Sequence, residues 1–476
     1  MSEKRSGVKA VMHNLIYAFA VQGISLLLSM MMSLVVPKIL GEEQFSYWQL
    51  FLFYVSYVGF FSFGFIDGIY LRYGGKRYED LDDSLLCTEF WISAAFQIIL
   101  TIFGVIYTMT QVPDPNRQFV LYITFAYMVV GNVGGMLCYV FQATNRVNVY
   151  STSVLIDKMS FIIAVLVLLF YKERSFVPFI LLYLTGKTIS FIYTVIKGRD
   201  MVFHKGVPIA QAMPEVKVNI FTGITLMLSN IASMLILGSG RFVVDNLWGI
   251  NAFGKFSFSV SLANFFLLFI SQASMVLFPV LRQANDKNLK KFYSLVRDLL
   301  DLVLPGAFLF YIPVKVILSR WLPQYTESLT YLVLLLPLCT FDSKMNLLCT
   351  TYMKVLRLER TLLWINGISF GVSVGLSLLG GYVFHNIYMI IVFMVVSVAF
   401  REILSEWVLS HFLELPFLRS VLTESILSVG FVCFTWFLSS TVGFVCYAAL
   451  YGGYLLIFHK SIHSVLHESR RVFRGK

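Results

Sequence analysis

Asp67 stands between Gly64 and Gly68 in the apolar stretch "FGFIDGIYLRYGG". A carboxylate in that setting points to ion coupling or gating, or else to a hydrated or paired residue near a helix end. Other charges share the pattern. Asp157-Lys158, Lys187, Arg241 and Asp245 in "SGRFVVDN", Lys315, Asp342 with Lys344, and Arg401 with Glu402 and Glu406 all fall in or beside apolar runs. Asp67 and Arg72 are five residues apart, about 140° around a helix, so each needs a partner elsewhere. Gly64 and Gly68 form a G-x-x-x-G pair, a spacing that lets a second helix approach closely. Familiar catalytic patterns are missing: there is no Walker P-loop, HExxH, nucleophile elbow or metal-ligand spacing. The six cysteines lie in or beside apolar runs without CxxC spacing and read as small packing residues.

These charges need elements that can carry them through an apolar medium. The chain has 476 residues, of which 58% are hydrophobic and 13% charged, with mean hydropathy +0.77. Soluble domains are about 25% charged, so the excess apolar surface must face lipid. Helices of about 20 apolar residues cross the hydrocarbon core. Runs and breaks predict an all-α integral membrane protein with about fourteen transmembrane helices. The predicted spans are 12–37, 46–71, 84–109, 118–142, 153–171, 177–196, 218–239, 251–280, 299–318, 328–350, 361–384, 387–410, 421–439 and 441–459. Turn chemistry such as "LGEEQ", "QVPDPNR" and "YKERS" marks the breaks. With the N-terminus inside, the cytoplasmic side collects about 25 Lys and Arg against about 5 outside. The net charge of +11 is therefore mainly a topology signal that puts both termini in the cytoplasm, and nucleic acid is not called for.

The longest cytoplasmic connections divide the chain. The predicted organisation is an N-terminal six-helix lobe (1–196), a linker (197–217), a C-terminal six-helix lobe (218–410), and two extra helices with a basic tail (411–476). The halves echo each other. Gly41, Phe45 and Trp48 stand at the entry to the second span, and Gly249, Phe253 and Phe256 at the entry to the eighth, both as G-x-x-x-F-x-x-aromatic. Repeated six-helix halves are a transporter architecture, with the site between them.

The stretch "LGEEQFSYWQLFLFYVSYVGFFSFGFIDGIYLRYGGK" resembles the first helical hairpin of bacterial polysaccharide flippases of the multidrug/oligosaccharidyl-lipid/polysaccharide superfamily. Their pattern is a G-x-x-x-[FY]-G-x-[YW] turn and an aromatic span ending in G-[FLI]-x-[DN]-G-x-x-[RK]-x-G-G. Ser46 stands where a glycine is usual, while "GINAFGKFSF" fits the turn fully. The resemblance implies a V-shaped, MATE-like pair of lobes and alternating access in the bacterial cytoplasmic membrane. It implies a substrate that joins sugars to an isoprenoid pyrophosphate, without a cofactor. Membrane lipids and other polysaccharide-assembly proteins are the further partners it implies.

Such a polyanionic headgroup calls for Arg and Lys. Arg241, Lys187, Asn14, Tyr17, Gln22 and Asn230 are the candidate substrate contacts, and Asp67, Asp157 and Asp245 the candidate coupling or gating acids. Lys38, Lys315 and Arg401 lie near span ends where they can snorkel. Asp157-Lys158 and Asp342 with Lys344 have the alternative of neutralising neighbours. Two other functions compete: a cation-coupled drug or small-solute antiporter of the same superfamily, and a membrane glycosyltransferase or polysaccharide polymerase. The latter would need a large outer loop or an acidic catalytic motif, and neither is present.

Overall fold

The computed structural model describes Gly23, Leu28, residues 31–282 and residues 286–459, with the backbone alone at 265, 266, 268–282 and 286–288. Asn14, Tyr17 and Gln22 lie outside the described residues. The described chain is helical and contains no strand. Eleven of its helices are long and apolar enough to cross a membrane, or twelve when Val36–Ser62 and Phe65–Tyr73, bent by 62°, count as one span. The sequence predicts about fourteen. The difference arises in two places. Predicted span 12–37 falls mostly outside the described residues, and spans 218–239 and 251–280 share one 74-residue helix, Ile209–Arg282.

The chain divides into two compact units, Met1–Ile231 and Ala232–Lys476. The sequence places the division at 197–217. It falls further on because the start of Ile209–Arg282 packs on the first unit, as described below.

The first unit contains α1 (Val36–Tyr57), α2 (Phe65–Tyr73), α3 (Asp83–Gln111), α4 (Pro115–Ala143), α5 (Val147–Phe170), α6 (Phe176–Lys197) and the beginning of α7 (Ile209–Arg282). Local chemistry sets several starts. Asp82 caps α3 by accepting from Leu85 N, and Ser175 caps α6 by accepting from Val177 N. Asp114 caps α4, with Pro115 at the first helical position, where its missing N–H costs nothing. A core of Phe65, Ile69, Leu86, Phe90, Leu137 and Phe141 joins α2, α3 and α4. Small polar side chains join α5 to α6: Ser190 Oγ donates to the Ser153 carbonyl at 2.8 Å.

The second unit follows with α8 (Asp286–Gly306), α9 (Tyr311–Trp321), α10 (Thr326–Lys344), α11 (Thr350–Val355), α12 (Glu359–Leu378), α13 (Ile387–Leu413), α14 (Leu418–Phe437) and α15 (Ser440–Ile457). The span containing α10 is its centre, since residues 331–341 are all buried. A wide π-type turn, Met345–Cys349, follows Lys344 directly; such turns re-aim side chains and often mark functional positions.

The echo between the halves has a backbone counterpart. Gly41 breaks α1 at φ 76°, ψ 177°, and Gly249 breaks α7 at φ 77°, ψ −174°. This region of backbone space is essentially restricted to glycine. Each break is followed by a fully buried phenylalanine, Phe45 or Phe253, and then by buried Trp48 or Phe256. A Cβ at either glycine would meet no atom within 4 Å, so the demand is conformational. Gly249→Ala is expected to cost about 1–3 kcal/mol, read as a lower melting temperature in detergent. Gly367→Ala, also in open space but inside α12, is the control expected to show no loss. Equal stability of both variants would refute the conformational reading.

Candidate functional site

Several local arrangements carry the chemistry. The first is a backbone crossing beside Asp67. A short turn of helix, Val58–Ser62, ends in Phe63 (φ 52°) and Gly64 (φ 81°), both left-handed, and α2 leaves at a new angle. The α2 backbone then meets α7 without side chains between them. A Cβ on Gly68 would lie 1.8 Å from the Asn219 carbonyl oxygen, and one on Gly223 would lie 2.1 Å from the Gly64 carbonyl oxygen. A polar chain runs along the crossing. Arg72 pairs with Glu215 at 2.6 Å and donates to Asn219 Oδ1 at 2.6 Å, and Asn219 Nδ2 donates to Glu89 Oε1 at 2.9 Å. Glu89 is fully buried and its second oxygen accepts no hydrogen bond. Asp67 is half-buried in this contact region and forms no ion pair among the described residues. Arg72 thus finds its partner on another helix, as the 140° separation from Asp67 requires.

The second arrangement brings two predicted site residues together. Lys187 of α6 and Asp157 of α5 pair at 3.9 Å, with side chains 26% and 13% exposed, so the pair is only partly shielded. Tyrosines flank it: Lys187 Nζ lies 6.0 Å from the centre of the Tyr127 ring, and Lys158 Nζ lies 6.0 Å from that of Tyr183. Tyr183 packs edge-on against Phe161 at 4.9 Å and Trp48 at 5.8 Å. Trp48 Nε1 is buried without an acceptor. Two cations, one acid and several aromatic faces on α1, α4, α5 and α6 suit an anion attached to a sugar: rings stack on sugar faces, and ammonium groups meet phosphate oxygens.

In the second unit, Arg241 is half-buried, donates from Nε to Ser257 Oγ at 3.1 Å and lies 5.5 Å from the centre of the Phe253 ring. Asp245 is one helical turn further along α7 and also half-buried. Asn230, in the first unit, is exposed.

Arg401 corrects an expectation. It does not snorkel; it is 3% exposed, donates to Asn366 Oδ1 at 2.8 Å, and lies 3.4 Å from Asp342 Oδ1. The position is interior to α13, and those two partners satisfy the charge there. Asp342 therefore does not neutralise Lys344. Lys344 instead sits among Asp301, Glu402, Glu406 and Glu424. Asp301, Glu424 and Glu89 escaped sequence reasoning, although each is an acid inside a predicted span, which was signal enough.

A further arrangement lies outside the spans. A hollow of about 580 Å³ is lined by Lys76, Arg77, Tyr78, Glu79, Asn145 and Arg146, among others. Arg146 stacks on the Tyr78 ring at 3.4 Å and approaches Glu79 at 3.4 Å. A backbone N–H, helped by Arg146 and Arg77, holds the Glu79 carboxyl below its usual range. Among the described residues, no group of three or more His, Cys, Asp or Glu could hold a metal ion.

The comparisons with known proteins agree with this architecture. The family profile described as "Polysaccharide biosynthesis protein" matches residues 11–285, more than half of the chain. No curated protein matches significantly. Among solved structures, the lipid II flippase MurJ in an inward closed conformation is similar at a TM-score of 0.64 and 13% identity, over 95% of this chain and all of MurJ (100%). An inward-facing multidrug resistance MATE transporter scores 0.62 at 12% identity, over 87% of this chain and 99% of its own. A MATE protein in complex with MaL6 scores 0.58 at 11% identity, over 88% and 97% respectively. At these identities the likeness is one of fold. The fold is MATE- and MurJ-like and helical, and the eleven or twelve long apolar helices mark a multi-pass membrane protein. The chain belongs to the polysaccharide biosynthesis protein family.

Proposed function

We propose that the protein turns lipid-linked oligosaccharide repeat units, carried on an isoprenoid pyrophosphate, across the bacterial cytoplasmic membrane by alternating access, with both termini in the cytoplasm. The family match over residues 11–285 carries the reading. The Lys and Arg bias of the loops supports the orientation. The Asp157–Lys187 pair beside Tyr127 and Tyr183 supplies the chemistry: Lys187 and Lys158 meet the phosphates, and the tyrosines meet the sugars. Arg241 is the corresponding cation of the second unit, and Asp67 acts in gating or ion coupling.

The test is flipping of a fluorescent lipid-linked oligosaccharide in proteoliposomes, normalised to folded protein. Lys187→Ala and Arg241→Ala are each expected to lower the rate about tenfold or more, as loss of a charge-assisted phosphate contact would. Asp67→Asn keeps the side-chain volume and removes the charge; it is expected to insert normally and lose most export. Wild-type rates from all three would remove these assignments, and no flipping by the wild type would remove the substrate class. A reporter joined to the C-terminal end is expected to read as cytoplasmic; an exported reading would overturn the orientation.

A further inference from the structure

Lys344, fully buried at the end of α10, is surrounded by acids. Its Nζ lies 2.7 Å from Glu406 Oε2, 3.0 Å from Glu424 Oε2, 3.1 Å from Asp301 Oδ1 and 3.5 Å from Glu402 Oε1. It also donates to Ser420 Oγ at 2.6 Å, and that hydroxyl donates to Glu406 at 3.5 Å. None of the four acid side chains is more than 8% exposed. An ammonium has three protons to donate, and more oxygens than that compete for them. Arg297 lies 3.8 Å from Glu406 Oε1, but it donates to the Pro416 carbonyl at 2.6 Å and is shared with Asp298 at 3.4 Å.

The hydrogen-bond count shows the shortage. Asp301 Oδ1, Glu406 Oε1, Glu424 Oε1 and both oxygens of Glu402 are buried and accept no hydrogen bond. Asp301 Oδ1 is within ion-pair distance of Lys344 but is not aligned to accept from it. Glu402 is the sharpest case: it is fully buried, faces the ammonium and has no donor on either oxygen. Charge points the same way. Four ionised carboxylates against Lys344 and Arg297 leave two negative charges uncompensated, before Asp298 is added. An apolar interior does not sustain such an excess.

The other titratable and charged groups around the cluster do not repair the balance. Tyr293 and Asp298 on α8, Cys349 in the turn after α10 and Tyr454 on α15 carry no positive charge. Arg401 is matched by Asp342, and Arg419 on α14 is exposed against the Phe458 ring.

We propose that this cluster is a proton-binding site in which at least two of the four carboxyls are protonated at neutral pH, Glu402 foremost. Each proton removes one charge and adds one O–H donor for a neighbouring oxygen. The two deficits are thereby met together. The site joins α8, α10, α13 and α14, so its protons fasten the penultimate helix to the rest of the unit and are exchanged only when that packing loosens. The proposal does not depend on the substrate.

Infrared spectra of the full chain in lipid nanodiscs, in H2O and D2O at neutral pH, test it directly. The wild type is expected to show a protonated-carboxyl C=O band that shifts in D2O, and Glu402→Gln is expected to lose part of it. Folded protein that holds protons the unfolded chain releases grows less stable as pH rises. Glu402→Gln, a neutral isostere, should fold and flatten that fall by about one proton's worth. Three results would overturn the proposal: no such band in the wild type, a band unchanged in both Glu402→Gln and Glu424→Gln, or a sodium-dependent stability that Glu402→Gln abolishes. Failure of Glu402→Gln to fold would also count against it, because the amide reproduces the neutral acid.

Discussion

Gly68→Leu is expected to leave almost no folded protein in the membrane. Even alanine is costly at this position, because its Cβ would stand 1.8 Å from the Asn219 oxygen and 2.5 Å from the Asn219 carbonyl carbon. Both are backbone atoms and cannot turn aside. The α2–α7 crossing would have to open by about 1.5 Å to restore ordinary contact. That shift would pull Asn219 from between Arg72 and Glu89, breaking bonds of 2.6 and 2.9 Å. Overpacking of this kind costs about 1–3 kcal/mol for added methylenes, and a leucine against backbone belongs at or beyond the top of that range. Monodisperse yield and melting temperature in detergent read the loss. A Gly68→Leu protein as stable as the wild type would show that the helices do not meet there.

Lys344→Met is expected to be as damaging for a different reason. It leaves Asp301, Glu402, Glu406 and Glu424 buried around an apolar side chain. Removing one partner of a buried ion pair costs about 3–5 kcal/mol, much of it from the charge left behind. The loss should therefore be reversible at the partners. Glu406→Gln and Glu424→Gln, added to Lys344→Met, are expected to restore more than half of the lost melting temperature, although each change also removes a contact. Simple addition of the separate losses would show that the lysine packs but does not neutralise.

The helices were legible because lipid imposes a simple rule: every span must be long, apolar and internally hydrogen-bonded. Predicted spans such as 84–109, 118–142 and 387–410 fall inside α3, α4 and α13. The break at Gly249 was legible as a turn, but not as a bend inside a helix that otherwise continues, because a single glycine can do either. The site was less legible. An i to i+4 spacing says which side chains share a helix face, whereas the pairing of Lys187 with Asp157 and the encirclement of Lys344 depend on which helices become neighbours. Arg401 shows the same limit: position along a span identified a residue close enough to the end to snorkel, but its two partners come from α10 and α12.

Gly41 and Gly249 also differ in kind from Gly68. At the crossing, any added atom collides. At the two breaks there is room for a methyl group, and handedness excludes it. Reflecting φ 76°, ψ 177° and φ 77°, ψ −174° gives ordinary extended backbone. These are thus positions where the chain asks for a mirror-image residue, and glycine is the one ribosomal building block that can impersonate it. A D-alanine introduced by semisynthesis at Gly249 would sit in its preferred basin where L-alanine is strained.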